Sequence, residues 1–188
     1  MVPLHLQTAD RVLWSHPCVQ NDAVGAVMHE AERLAELVER VVEGDPWHGS
    51  NVVSVLDGVT AIDAARHPVD HAHSIWELVH HMTAWCDEVR ARLGGAPADE
   101  PAAGDWPAVT DVSPAAWAAA VAALVASHRS LAAAIRAAGD AMLETPVRDP
   151  RNPPTGTGLS QYLTLHGAVQ HTVYHAGQIA VLRRAIEG

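Results

Sequence analysis

Hydrophobic residues recur every three or four positions along four segments of the 188-residue chain, which is the period of an amphipathic helix. No segment alternates apolar and polar residues as a half-buried strand would. The pattern therefore predicts an all-α protein, and four amphipathic helices in one chain are typical of a four-helix bundle. The predicted helices cover approximately residues 22–43, 74–93, 114–138 and 159–186.

Residues that favour helix ends stand where the periodic segments begin and stop. Ser74 precedes the second segment and Glu77 follows three residues later, which is the spacing of a capping box. Ser113 and Pro114 begin the third segment as an N-cap followed by a proline in the first turn. A glycine follows each of the first three segments and predicts its end.

The links between the predicted helices are long and differ in composition. Residues 44–73 contain two short periodic pieces, "SNVVSVLDG" and "TAIDAAR", so this first link is predicted to be partly helical. Residues 94–112 and 144–158 are rich in proline and glycine. Long links permit topologies other than a simple up-and-down bundle. The sequence has no internal repeat, so residues 1–188 are predicted to form a single domain.

The overall charge and composition argue against several classes of partner. The formal net charge is -10 and the chain contains no lysine, whereas nucleic acids and anionic lipid surfaces require a basic patch. We find no run of eighteen apolar residues and no secretory signal at the start, so no association with a membrane is expected. Cys18 and Cys86 are too few and too far apart for a disulfide framework. The expectation is a soluble cytoplasmic protein.

Thirteen histidines are a high number for this length, and several of them are predicted to face the core. In the fourth helix, one face carries a row made of Ala168, His171, His175, Gln178 and Leu182. A buried polar group without a partner costs roughly 1–3 kcal/mol. Three polar residues in one such row therefore need a common explanation.

The second helix carries two adjacent histidines that the helical pattern separates. His81 lies at the edge of the apolar stripe that includes Leu78 and Met82, whereas His80 is expected on the opposite side, facing water. Two imidazoles from one helix and a third from a facing helix would form a three-nitrogen metal site with open coordination positions. Two alternatives stay open: the histidines are separately hydrogen-bonded in the core, or they form a polar seam that fixes the helix register.

Other polar residues are candidates for roles in catalysis. Glu77 lies one turn before His81 and either accepts the second ring proton of that histidine, binds the metal as a fourth ligand, or only caps the helix. His128 lies in the apolar row of the third helix and is expected to be a hydrogen-bonded core residue or a partner of a metal ligand. His48 and His73 lie in loops and can line the mouth of a pocket. The candidate general bases are thus Glu77, His128 and His48. His166 is expected to point away from the pair, and the histidines expected at the surface are His5, His16, His29, His67 and His71.

Four stretches of the sequence, "PWHG", "HSIWELVHHMTAW", "DWP" and "HTVYHAGQIAVLR", resemble the DinB/YfiT-like family of metalloenzymes. The resemblance covers nearly the whole chain, and its most specific parts are "SIWELVHHMTAW" and "HTVYHAGQI". It implies a four-helix bundle, often dimeric, with one metal-binding histidine on the second helix and an H-x3-H pair on the last long helix. On this sequence those ligands fall on His81, His171 and His175.

The resemblance also implies a kind of chemistry. Related members act as thiol-dependent S-transferases or isomerases that use bacterial low-molecular-weight thiols. We therefore expect a divalent metal ion, Zn²⁺ or Ni²⁺, and an enzyme that acts on a small molecule as a thiol-dependent S-transferase or a hydrolase. The alternative is a non-enzymatic metal-binding stress-response protein. A homodimer is expected from the resemblance and from the six tryptophans, some of which can serve at an interface.

Overall fold

The computed structural model describes residues 29–150 and 159–188, and α-helices joined by irregular links make up this part of the chain. Within these ranges there is no strand, and Pro146 and Ser160 form an isolated β-bridge. The all-α prediction is confirmed. The helices in chain order are α1 (Glu30–Val42), α2 (Val52–Leu56), α3 (Ala61–Ala64), α4 (Ile75–Leu93), α5 (Pro114–Ala138), α6 (Asp140–Leu143) and α7 (Gln161–Glu187).

The four long helices form an arrangement consistent with the predicted four-helix bundle. Helices α1 and α4 each pack against both α5 and α7. The buried apolar side chains form two clusters, one at each end of this arrangement. The first halves of α4 and α5 share one cluster with the second half of α7, so α4 and α5 run parallel to each other and antiparallel to α7. The long links thus produce a topology other than up-and-down.

The helix ends follow the capping signals in the sequence. Ser74 accepts a hydrogen bond from the main-chain N–H of Glu77, whose carboxylate accepts one from the main-chain N–H of Ser74, and together they form the predicted capping box. Ser113 caps α5, with Pro114 in its first turn. The two short helical turns predicted in the first link are present as α2 and α3. The start of the first predicted helix, residues 22–28, lies outside the described residues, as do His5, His16 and Cys18.

Helix α6 and the contacts that join α1 to the end of α5 and to α6 were not predicted. Helix α6 follows α5 directly after Gly139, which has a positive φ of 69°. The carboxylate of Asp140 in α6 accepts a hydrogen bond from the main-chain N–H of Ala31, 2.9 Å away, and so caps α1 from a distant part of the sequence. Arg136 of α5 binds Glu32 of α1 at 2.9 Å and forms a bidentate pair with Glu39 at 2.6 and 2.8 Å.

The link between α4 and α5 returns along α4. The main-chain carbonyl of Asp99 accepts a hydrogen bond from Arg92 near the end of α4, and the carbonyl of Pro107 accepts one from His80 near its start. This path covers a face of α4 that its helical pattern alone would leave to water.

Helix α5 is long and apolar enough to cross a membrane by length and composition, although it has no uninterrupted apolar run of eighteen residues. Part of its most apolar stretch is buried inside the protein. Because the core helix of a water-soluble protein meets the same criterion, one such helix is weak evidence for a membrane span.

Candidate metal centre

Three histidines lie together midway along the long helices, between the two apolar clusters. His81 of α4 and His171 and His175 of α7 each place one ring nitrogen within 4.8 Å of the others. The Nε2 atom of His171 is 2.9 Å from Nε2 of His81 and 3.0 Å from Nε2 of His175. His81 and His175 are buried, and His171 is half-buried. The set selected from helical periodicity is therefore brought together in space.

Hydrogen bonds made by the Nδ1 atoms, which point away from the cluster, fix the tautomers of His81 and His175. Nδ1 of His81 lies 2.7 Å from the main-chain carbonyl oxygen of Asp105, and a carbonyl can only accept, so Nδ1 carries the proton. Nδ1 of His175 lies 2.6 Å from Oε1 of Gln178 and donates its proton there in the same way. When these two imidazoles are neutral, each Nε2 therefore directs a lone pair toward His171.

The three Nε2 atoms that face one another cannot all be satisfied by hydrogen bonds among themselves. Nε2 of a neutral His171 carries at most one proton and can donate it to His81 or to His175, but not to both. At least one inward lone pair is then left without a donor among the three rings. A cation that accepts all three lone pairs removes this conflict, and imidazole nitrogens are common ligands of Zn²⁺ and Ni²⁺. The three residues thus fit a divalent metal ion.

The surroundings of the two histidines of α7 keep their imidazoles neutral, as metal binding requires. Burial, followed by the neighbouring rings of His175 and His81, lowers the pKa of His171 from 6.5 to about 4. Burial also lowers the pKa of His175, against the opposing effect of its hydrogen bond to Gln178. The two histidines of α7 can therefore offer lone pairs rather than protons at neutral pH.

An aromatic and acidic segment, residues 105–107, holds the histidine of α4 in place. The indole of Trp106 stacks on the ring of His81 with centroids 3.9 Å apart, and the ring of His73 stacks on Trp106 at 3.4 Å. The carboxylate of Asp105 accepts a hydrogen bond of 2.6 Å from Nε1 of Trp85. Trp106 was expected only as a core or interface residue and Asp105 had no predicted role, although "DWP" is one of the stretches that carry the family resemblance.

The prediction that His80 faces water was wrong. His80 is half-buried: its Nε2 accepts a hydrogen bond of 2.9 Å from Trp76, and its Nδ1 lies 3.3 Å from the carbonyl oxygen of Pro107. His80 is not one of the three clustered histidines. It instead joins the start of α4 to the segment 105–107.

The predicted candidates for a general base differ in where they lie. Glu77 does not receive the ring proton of His81, because its carboxylate caps α4 and Asp105 takes that proton instead. His48 is exposed beside Trp47 at a separate surface cavity. His128 is buried beside the cluster, with Nδ1 2.9 Å from the carbonyl oxygen of Leu124 and Nε2 3.1 Å from the hydroxyl of Thr172. Burial lowers the pKa of His128.

Two cavities border the histidine cluster. The first, here called the apolar cavity, has a volume of about 400 Å³ and is lined by His81 and His171 together with side chains of all four long helices. The second, here called the outer cavity, has a volume of about 680 Å³ and is lined by His175, Trp106 and Tyr174, among others. His73 also lines the outer cavity, as expected for a residue at a pocket mouth. Small molecules can therefore approach the cluster from two sides.

The fold and this cluster define an all-α protein with a three-histidine site suited to a divalent metal. Residues 47–179 match the family model of the DinB superfamily, and the chain belongs to that superfamily. No curated protein and no solved structure gave a match to the chain.

Proposed function

We propose that this protein is a metal-dependent enzyme that acts on a small molecule through His81, His171 and His175. The observation that carries the proposal is the convergence of three imidazole nitrogens that share too few protons to satisfy one another. The adjoining cavities add a second argument, because a site built only to store metal needs no space for an organic ligand.

The ligand set favours Zn²⁺ or Ni²⁺, since neutral imidazole suits both ions. A bound divalent ion supplies Lewis-acid chemistry, lowering the pKa of a water or thiol beside it. The protein's own contribution is orientation: Asp105 and Gln178 hold the ring protons of His81 and His175 on the outer nitrogens. Trp106 covers one face of His81 and restricts its rotation.

His128 is the proposed proton-handling residue among the three candidates, because it lines the apolar cavity together with His81 and His171. Its lowered pKa leaves it neutral at pH 7, so it can accept a proton from a reacting group in that cavity. The hydroxyl of Thr172 lies 3.1 Å from Nε2 of His128 and 2.9 Å from the main-chain carbonyl oxygen of Ala168, so it can donate its one proton to either and helps to hold the imidazole in place.

A thiol-dependent S-transferase is our first proposal for the reaction, and a hydrolase is the second. The thiol would be a separate low-molecular-weight cosubstrate. Burial raises the pKa of the Cys86 thiol to about 12, so this side chain is not a nucleophile at neutral pH. Two cavities beside one cluster suit a reaction with two small reactants, which favours transfer over hydrolysis.

Metal analysis of the purified protein tests the proposal. We expect about one Zn²⁺ or Ni²⁺ per chain, lost in His175→Ala and retained in His166→Ala, which removes another histidine from the same helix. Cobalt substitution then tests for open coordination positions. A cobalt spectrum that changes on adding a small thiol supports the transferase, and one that changes only with other ligands such as azide supports the hydrolase. Bound metal with no response to any ligand would favour the non-enzymatic metal-binding protein.

A further inference from the structure

We infer that the substrate has an apolar body, which occupies the apolar cavity, and a single polar reacting group, which faces His81 and His171. This inference rests on the proposed function and adds the class of substrate. The volume of about 400 Å³ lies within the range of small-molecule sites, which is roughly 300–1,000 Å³.

The walls of the apolar cavity are divided by polarity. Hydrocarbon side chains from each of the four long helices line it, including Val38 of α1, Val89 of α4, Leu131 of α5 and Val169 of α7. Polar side chains also line the cavity: His81 and His171 belong to the histidine cluster, Asp105 accepts the ring proton of His81, and His128 and Thr172 bind each other beside the cluster. Thr164 lines it as well, but its hydroxyl donates to the main-chain carbonyl of Ser160 at 3.0 Å. A molecule that fills this space must therefore be apolar over most of its surface and polar at the end next to the histidines.

The arginine at the wall of the apolar cavity, Arg92, does not favour a substrate with an anionic body. Arg92 borders the cavity, but its guanidinium binds Glu88 at 2.9 Å and the main-chain carbonyl of Asp99 at 2.8 Å. The same guanidinium lies 5.6 Å from the centre of the Trp85 ring. An arginine held by a carboxylate, a carbonyl and an aromatic face has its charge largely matched within the protein.

The outer cavity offers room for a second reactant. Its lining combines apolar side chains such as Val69, Leu78 and Val181 with the polar groups of His73 and Gln178. A cosubstrate that forms hydrogen bonds can use these polar groups, while the apolar body lies in the apolar cavity between the four long helices. Each reactant would then reach the histidine cluster from its own side.

Alkyl hydroxamates of increasing length test the inference, because the hydroxamate binds a metal ion and the alkyl chain reports on the cavity. We expect the affinity of metal-loaded protein to rise more than about a hundredfold from acetohydroxamate to octanohydroxamate, since burying one methylene is worth roughly a fourfold gain. Saturation-transfer NMR with octanohydroxamate and metal-free protein should still detect binding of the alkyl chain.

Two variants locate the alkyl chain. Val89→Phe takes up space inside the cavity, and Gly167→Leu narrows it from α7, where an added Cβ meets no atom within 4 Å. In both variants the increase in affinity from acetohydroxamate to octanohydroxamate should be at least tenfold smaller than in wild type. Their affinity for acetohydroxamate should stay within about twofold of the wild-type value. Gly177→Leu, the matched change beside the outer cavity, should leave the gain unaltered. Light scattering on each variant checks that association of the chain is unchanged.

The outcomes separate this inference from the proposed function. If acetohydroxamate binds the metal but longer chains bind no better, the apolar substrate is excluded and the metal enzyme stands. If the affinity still rises with alkyl length in both Val89→Phe and Gly167→Leu, the alkyl chain binds outside the apolar cavity and the inference is wrong. If the protein holds no metal, the proposed function fails. The inference about the cavity is then decided by NMR alone: a saturation-transfer signal of octanohydroxamate that is lost in Val89→Phe supports binding of an apolar body, and the absence of a signal excludes it.

Discussion

The ring of His81 donates its Nδ1 proton to the main-chain carbonyl of Asp105 across 2.7 Å, and the carboxylate of the same residue lies 3.2 Å from that nitrogen. This relationship turns the Nε2 lone pair of His81 toward α7. It also connects the histidine of α4 to Trp85, whose indole N–H binds the same carboxylate at 2.6 Å. A residue from an irregular link therefore determines which nitrogen of a helical histidine is available to a metal.

Removing the Asp105 side chain should weaken metal binding. Asp105→Ala deletes the acceptor of Trp85 and loosens the carbonyl that orients His81, so we expect metal affinity to fall by roughly 10–100-fold. Asp105→Asn keeps an oxygen acceptor and should lose less. Competition with a chromogenic chelator measures both. Asp57→Ala, an exposed aspartate at the end of α2, serves as the control. Equal affinity in Asp105→Ala and wild type would show that the carboxylate does not position His81.

The adjacent histidines of α4 should differ in their effect on bound metal. His81→Ala removes a nitrogen of the cluster and should abolish stoichiometric metal binding, whereas His80→Ala removes only the bonds to Trp76 and Pro107 and should retain it. Metal content after gel filtration, measured by mass spectrometry, distinguishes the two variants. Loss of metal from His80→Ala alone, or equally from both, would contradict the assignment.

Local patterns were sufficient for the four long helices and for the three clustered histidines on them. Ser74 and Glu77 form the capping box that their spacing predicts, and helical periodicity alone brings His171 and His175 to one face. These features depend on residues three or four apart, which a helix always places together. His81 lies at the edge of an apolar stripe for the same reason.

The missing parts of the site depend on where an irregular link runs. Residues 94–112 have no periodicity, so nothing local indicates that Asp105 and Trp106 would return to the middle of α4. The error over His80 has the same origin, because a helical pattern assumes that the face opposite the core meets water. Here that face meets Pro107. The capping of α1 by Asp140 was missed because its partners are 109 residues apart.

Association into a homodimer should depend on α7. Leu163, Tyr174 and Val181 are exposed by 55%, 65% and 63% and lie 11 and 7 residues apart, on one face of the helix. Leu163 also borders the apolar cavity and Tyr174 and Val181 border the outer cavity, so the partner chain would lie beside the mouths of both. We expect light scattering to give twice the chain mass of 20.0 kDa for wild type, and the single-chain mass for the double variant Tyr174→Glu, Val181→Glu. The control Ile62→Glu changes an exposed apolar residue of α3 and should remain dimeric. A wild-type mass of one chain at micromolar concentration would exclude the dimer.

Lowering the pH should destabilise the metal-free protein. The pKa of His171 is about 4 in the folded protein and 6.5 ordinarily, so between these values the unfolded chain binds a proton that the folded chain does not. The free energy of unfolding therefore falls as the pH drops from about 6.5 to about 4. Burial lowers the pKa of His128 and His175 as well, which acts in the same direction.

Urea unfolding at pH 7 and pH 5 measures this effect in chelator-treated protein. His171→Asn should lose less stability between the two pH values than wild type, because it lacks the histidine with the lowered pKa. His71→Asn provides the matched control: His71 is exposed and has a positive φ of 62°, a conformation that asparagine tolerates. This variant measures the effect of removing one exposed histidine, and the His171→Asn result is compared with it. If the wild-type protein is instead more stable at pH 5 than at pH 7, the folded cluster takes up a proton. The three imidazoles would then share that proton, and their lone pairs would not be free to bind a metal.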